Sequence, residues 1–123
     1  TNINYNYEMN PGTYNLPDHY KGDTFDKITF TIKENKVVVP LTGALIKMDF
    51  RKNTNTGTLQ QSFIIGDGLT VIDAAGGVFE LNAFINDWNT DMYFYDMEIT
   101  FSDGVVRTYA KGRLSVNQDI SNG

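Results

Sequence analysis

Between Tyr93 and Val116 the chain alternates with period two on both sides of a tight reversal, and only a β-hairpin satisfies that pattern. Tyr93, Tyr95, Met97, Ile99 and Phe101 fall on one face, opposite Phe94, Asp96, Glu98 and Thr100. Ser102-Asp103-Gly104 carries the turn chemistry of a hairpin. The return strand places Val106, Thr108, Ala110, Gly112, Leu114 and Val116 on one face. A half-buried hairpin this long needs more strands to cover its apolar face, and so the search is for partners.

They are present upstream. Ile28, Phe30 and Ile32 alternate with Thr29, Thr31 and Lys33, and Glu34-Asn35 offers a reversal into Val37-Val38-Val39. Pro40 limits that piece to an edge or a strand end. Ile46, Met48 and Phe50 oppose Lys47, Asp49 and Arg51. The polar run from Asn53 to Gly57 is an exposed loop, and Gly66-Asp67-Gly68 is a turn between Phe63-Ile64-Ile65 and Leu69-Thr70-Val71-Ile72. Phe79, Leu81 and Ala83 complete the set. No window forms an amphipathic helix, and the stretch from Phe84 to Thr90 has room for one turn at most. The expected fold is all-β, a mostly antiparallel sandwich or barrel of about seven to nine short strands. Ile46, Met48 and Phe50 are expected to face Tyr95, Met97 and Ile99 across one core between two sheets.

Three segments follow from the same reading: an amino-terminal arm or irregular first strand over 1–23, a sandwich over 24–117 and a polar tail over 118–123. The arm carries Tyr5, Tyr7 and Tyr14 with few aliphatics, and Pro11 and Pro17 interrupt any continuous ladder. The expectation is that residues 24–116 supply the core, and that the arm either augments a sheet edge or crosses to an adjacent subunit, where large rings with a polar tip gain most. Tyr5, Tyr7 and Tyr14 are therefore candidate interface residues, together with Trp88, which otherwise caps the core beside the strongest strand.

The 123 residues carry a net charge of -5 and only scattered basic groups, which argues against nucleic-acid binding. There is no cysteine, so disulfides, thiol chemistry and zinc–thiolate sites drop out. No apolar run approaches the roughly 20 residues a membrane-spanning helix requires. His19, the sole histidine, lies in a Pro-Asp-His turn with no serine poised for activation. Asp96 and Glu98 share a strand face, and a glycoside-cleaving carboxylate pair is outweighed by a solvated outer face. Asp67 and Asp73 lack the ligand spacing of a calcium loop. The expectation is no enzyme, no catalytic or metal residues, no cofactor and no small-molecule ligand.

The order of motifs adds a setting. Tyr20-Lys21-Gly22-Asp23-Thr24-Phe25 is followed by Leu41-Thr42-Gly43-Ala44, then by Ile46-Lys47-Met48-Asp49-Phe50-Arg51. Gly68-Leu69-Thr70-Val71-Ile72-Asp73 leads to Gly77-Val78-Phe79-Glu80-Leu81. Tyr93-Phe94-Tyr95-Asp96-Met97-Glu98-Ile99, Asp103-Gly104-Val105-Val106 and the run from Gly112 to Ile120 complete it. Over residues 20–120 this resembles small tailed-phage virion domains of the baseplate and head-fibre amino-terminal type, and the resemblance implies an all-β, immunoglobulin-like antiparallel β-sandwich of about seven to nine strands. The resemblance implies a non-enzymatic virion structural protein (a decoration, fibre-anchor or baseplate component) that binds other virion proteins as a homo-oligomer and is made in the bacterial host cytoplasm. The competing class is a carbohydrate-binding or adhesion sandwich, which a patch of coplanar exposed rings beside a groove would favour.

Overall fold

The computed structural model describes residues 5–118. Its strands are β1 (Tyr5–Met9), β2 (Gly12–Thr13), β3 (His19–Tyr20), β4 (Thr24–Phe25), β5 (Ile28–Glu34), β6 (Val37–Val38), β7 (Leu45–Lys52), β8 (Leu59–Ile65), β9 (Gly68–Asp73), β10 (Val78–Leu81), β11 (Phe84–Ile85), β12 (Asp91–Thr100) and β13 (Val106–Asn117). Among the described residues there is no helix, and the fold is all-β. One hydrogen-bonded path runs β1-β5-β10-β9-β8-β7-β12-β13-β2, with β3 added to β13 and β6 to β5, while β4 and β11 form a small separate ladder.

The two ends of that path are neighbours in the chain. β1 lies parallel to β5, and after only Asn10 and Pro11 the chain continues as β2, parallel to β13. A two-residue link cannot span an open nine-stranded sheet, so the sheet must curl until its ends meet. Its two halves then bury a single core. Ile28, Phe30, Ile32, Leu69, Phe79 and Leu81 come from one half, and Ile46, Met48, Phe50, Tyr93, Met97 and Leu114 from the other. The far corner is a seam between β8 and β9, where just Ile64↔Gly68 and Ile65↔Leu69 pair.

Several sequence expectations change here. The sheet is mixed rather than antiparallel, because the arm adds parallel strands at both ends and β8 pairs β9 in parallel at the corner. The strand faces of β7 and β12 do not oppose one another across the core. They are adjacent strands with Ile46↔Ile99, Met48↔Met97 and Phe50↔Tyr95 in register, so these side chains sit side by side on one inner face. Period two fixes which face a residue takes but not which strand lies alongside. The return strand also breaks its alternation. Met97 pairs with Ala110 and Glu98 with Thr108, leaving Tyr109 as an extra bulge residue. Beyond the bulge Ala110, Leu114 and Val116 point inward, whereas Val106 and Thr108 face solvent.

The arm is part of the body. Met9 and Leu16 are buried in the core, and Tyr7 packs edge-on against Phe30 at 5.9 Å. Tyr14 fixes the crossover: its hydroxyl donates to the Asn10 carbonyl at 2.8 Å and accepts from the Asn10 N–H at 3.0 Å. Along β13, Tyr14 N donates to Lys111 O at 2.8 Å and Leu16 N to Arg113 O at 2.9 Å. The Tyr95 hydroxyl reaches out of the core to the Tyr14 carbonyl at 2.6 Å. Gly112 permits this approach, since a Cβ there would run into that same carbonyl oxygen. Pro11 marks the crossing from one edge to the other, and Pro17 interrupts the run along β13 between β2 and β3.

Gly112→Ala is expected to lift residues 12–16 off β13 and lower stability by about 1–3 kcal/mol, the range for forced overpacking. Tyr95→Phe, which removes only the hydroxyl, should cost about 0.5–1.5 kcal/mol. Chemical denaturation measures both. Hydrogen exchange at Tyr14 and Leu16 should rise in the glycine variant; unchanged protection there would mean the arm is not held by this contact.

Candidate functional site

The outward residues of β7, β12 and β13 form one surface, and pairing register sets its rows. Leu45, Thr100 and Val106 lie across one end. Lys47, Glu98 and Thr108 form the next row, followed by Asp49, Asp96 and Lys111. Arg51, Phe94 and Arg113 form the row at the opposite end. The face therefore runs from an apolar end, through a charged middle, to an aromatic ring flanked by two guanidinium-bearing strands.

At that last end lies a 640 Å³ cleft. Phe94 and the backbone around Gly112 line it together with Lys111 and Arg113 from β13, Thr13 and Asn15 from the arm, and Asn53, Thr54 and Asn55 from the β7–β8 loop. Each wall has a local cause. The arm reaches the cleft because it is laid along β13. The loop is held by its own turn bonds: Gly57 N donates to Thr54 O at 3.1 Å, and Arg51 Nη1 donates to Gly57 O at 3.2 Å. Asn53 sits at a positive φ of 71°, which an asparagine tolerates better than most residues. A smaller 130 Å³ hollow adjoins it and shares Asn55, Phe94 and Lys111, with Asp49 and Asp96 on its far side.

The charged middle is unevenly paired. Asp49 accepts from Ser62 Oγ at 2.6 Å and lies 3.8 Å from Lys47 Nζ and 3.9 Å from Arg51 Nη2. Asp96 stands directly opposite Asp49 in the ladder. Its side chain reaches solvent, yet crowding removes part of its water. That desolvation holds the Asp96 carboxyl above the usual carboxylate range, Asp49 and Glu98 push it the same way, and Arg51 and Lys47 oppose them. Among the described residues neither Lys111 nor Arg113 joins a salt bridge.

The residues singled out in the sequence are dispersed. Tyr5, Tyr7 and Tyr14 are half-buried against the chain's own core. Trp88 is 8 % exposed and packs among Phe50, Phe84 and Tyr93, with ring centroids 5.0–5.9 Å away. Its ring fills the core and offers little surface to a partner. Asp96 and Glu98 lie on the outer face. His19 is buried on Phe25 at 5.3 Å, with Nε2 lacking a partner among the described residues. The adjoining 150 Å³ hollow is lined by Asp18, Asp23, Thr24 and Asp26. Asp73 caps a turn, accepting from Gly76 N at 3.0 Å. Among the described residues no group of three or more histidine or carboxylate side chains could share a metal ion. Phe94 was the residue to notice: an aromatic on the polar face of an alternating strand.

Asp96→Asn tests the charge row. A carboxyl raised in the folded state favours folding while protonated, and that contribution fades as pH climbs through its raised value. The substitution should therefore stabilise at pH 7 by about 0.2–1 kcal/mol, the range for relieving directly opposed like charges, and toward the low end because the site is screened. The gain should shrink as pH falls below the ordinary carboxylate range. Melting temperatures of both forms across pH measure it, and a loss of stability at pH 7 would contradict the assignment.

No protein-family model matches this chain, and no curated protein matches its sequence. Among solved structures it is similar to that of murine CRIg, at 18% sequence identity and a TM-score of 0.37, covering 83% of this chain and 92% of that one. At that identity and score, the likeness carries no argument about what the chain does.

Proposed function

We propose that this chain is a non-enzymatic virion structural domain with an immunoglobulin-like strand arrangement, which works by binding other virion proteins and further copies of itself. The observation that carries the binding reading is the apolar end of the outer face. Leu45, Ile64 and Val106 are 68 %, 47 % and 55 % exposed although the core is already filled. Leu45 and Val106 both flank Thr100, while Leu45 and Ile64 line one 300 Å³ depression. Contiguous exposed aliphatics of this kind mark contact surfaces in folded proteins. The virion setting rests on the ordered motifs of residues 20–120.

The arm supports assembly through this face rather than through itself, because Tyr5, Tyr7 and Tyr14 pack on their own chain. A flat platform of two or three coplanar rings has no support: among the described residues lining the cleft, Phe94 is the one aromatic that faces outward.

Leu45→Asp combined with Val106→Lys tests the reading by sedimentation across a concentration series. The unaltered chain should associate, and the double variant should remain monomeric while melting within about 0.5 kcal/mol of it, as surface substitutions do. Identical sedimentation of the two proteins would remove this face as the contact surface.

A further inference from the structure

The cleft at the opposite end of the same face is built differently from the apolar patch, and its chemistry indicates a ligand. Its volume of 640 Å³ lies within the range of small-molecule sites, about 300–1,000 Å³. Backbone groups contribute little to recognition there. The open edge of β13 is already occupied, with Tyr14 N bonded to Lys111 O and Leu16 N to Arg113 O. On the other side β12 is paired with β7. A peptide could not add itself as a strand, which removes the main way extended chains gain affinity on a sheet.

What remains are side chains, and they fall into three kinds. Phe94 presents a half-buried ring at the floor. Thr13, Asn15, Thr54 and Asn55 surround it with hydroxyls and amides; Asn15 Oδ1 already accepts from Arg113 N and Thr54 Oγ1 from Thr56 N, which leaves the Asn15 amide N–H and the Thr54 O–H as donors. Lys111 and Arg113 are exposed, and among the described residues they form no salt bridge. Two positions apart on a strand, they share a face at about 6.6 Å separation, a gap that one carboxylate can bridge. Asp96 pairs directly with Lys111 in the ladder and borders the adjoining hollow with Asp49 and Arg51. The ring thus stands between Arg51 and Arg113, with Lys111 and the Asp96 carboxylate side by side in the next row.

We propose that this cleft binds a carboxylate-bearing saccharide, with its apolar C–H face on Phe94, its carboxylate between Lys111 and Arg113, and its hydroxyls on the threonine and asparagine side chains and Asp96. A neutral sugar would make no use of the two charges. A simple anion would use neither the ring nor the amides. An acidic peptide would meet the charges but few of the amides. The site is separate from the apolar end, so it stands or falls independently of the self-association described above.

The test is a two-dimensional amide NMR titration of the whole chain. The probes are sialyllactose and a galacturonic acid trimer, with lactose and a glucose trimer as neutral counterparts and a glutamate hexapeptide as the peptide control. The acidic saccharides should shift the amides of Asn55, Phe94, Lys111, Gly112 and Arg113, at millimolar affinity or better, and weaken with added salt. Arg113→Gln should reduce that affinity about tenfold or more, the loss of a hydrogen bond to a charged group. Phe94→Ser should reduce it similarly, with folding checked by circular dichroism and by retained shifts in β5 and β10. If neither acidic saccharide moves these amides, or the neutral sugars move them equally, the proposal is wrong. Stronger binding of the glutamate peptide at the same residues would also overturn it, in favour of a protein segment.

Discussion

Every other feature of this fold depends on the arm being laid across both open edges of the sheet. A nine-stranded path with free ends would expose two rows of unpaired backbone groups, each a template for another chain. Here β1 covers β5, β2 and β3 cover β13, and the two coverings are joined through Asn10 and Pro11. The link forces the curl, and the curl brings the inner faces of the two halves together around one core. Tyr14 holds the link from one side and Tyr95 from the other. Gly112 is the position where the backbone of the arm and the sheet come too close for any larger residue.

Closure also decides how such a domain can associate. With β1 laid on β5 and β2 and β3 on β13, strand addition is blocked at those two strands, and the binding proposed above falls to side chains on the outer face. That face is sorted by row: aliphatics at one end, opposed charges in the middle, and a ring with cations at the other. The sorting is possible because an outer face is free of the packing rules that fix the inner one. Inside, Phe50, Trp88, Tyr93 and Tyr95 interlock at centroid distances of 5.0–5.5 Å, leaving little freedom for substitution.

The local part of this organisation is legible in the sequence. Alternation in Ile28–Ile32, Ile46–Phe50 and Tyr93–Ile99 identifies strands and their buried faces, because the side chain's direction is a property of the strand itself. Neighbour relations are not local. Nothing in Ile46 or Met48 says that β12 lies beside β7, and nothing in Met9 or Leu16 says that a polar, tyrosine-rich segment delivers two aliphatics to the core. The bulge at Tyr109 is equally silent, since a single inserted residue leaves the composition of the strand intact while reversing which residues point inward. The cleft was half legible. Phe94 is visibly out of place on a polar face, but the loop and arm that wall it in come from positions roughly 40 and 80 residues away and meet it only through the closed topology.

The parallel run of the arm along β13 has a mechanical meaning. The arm enters at its amino-terminal end, and β13 leaves at its carboxyl-terminal end, with Gly12↔Ala110 and Val116↔His19 in register between them. Tension from the amino-terminal side would meet the β1–β5 ladder first, and the bonds of β2 and β3 to β13 would then be loaded together in shear rather than unzipped one by one. A tether drawn through the chain thus pulls on this fold in its stiffest direction, with the Tyr14–Gly112 contact acting as a catch.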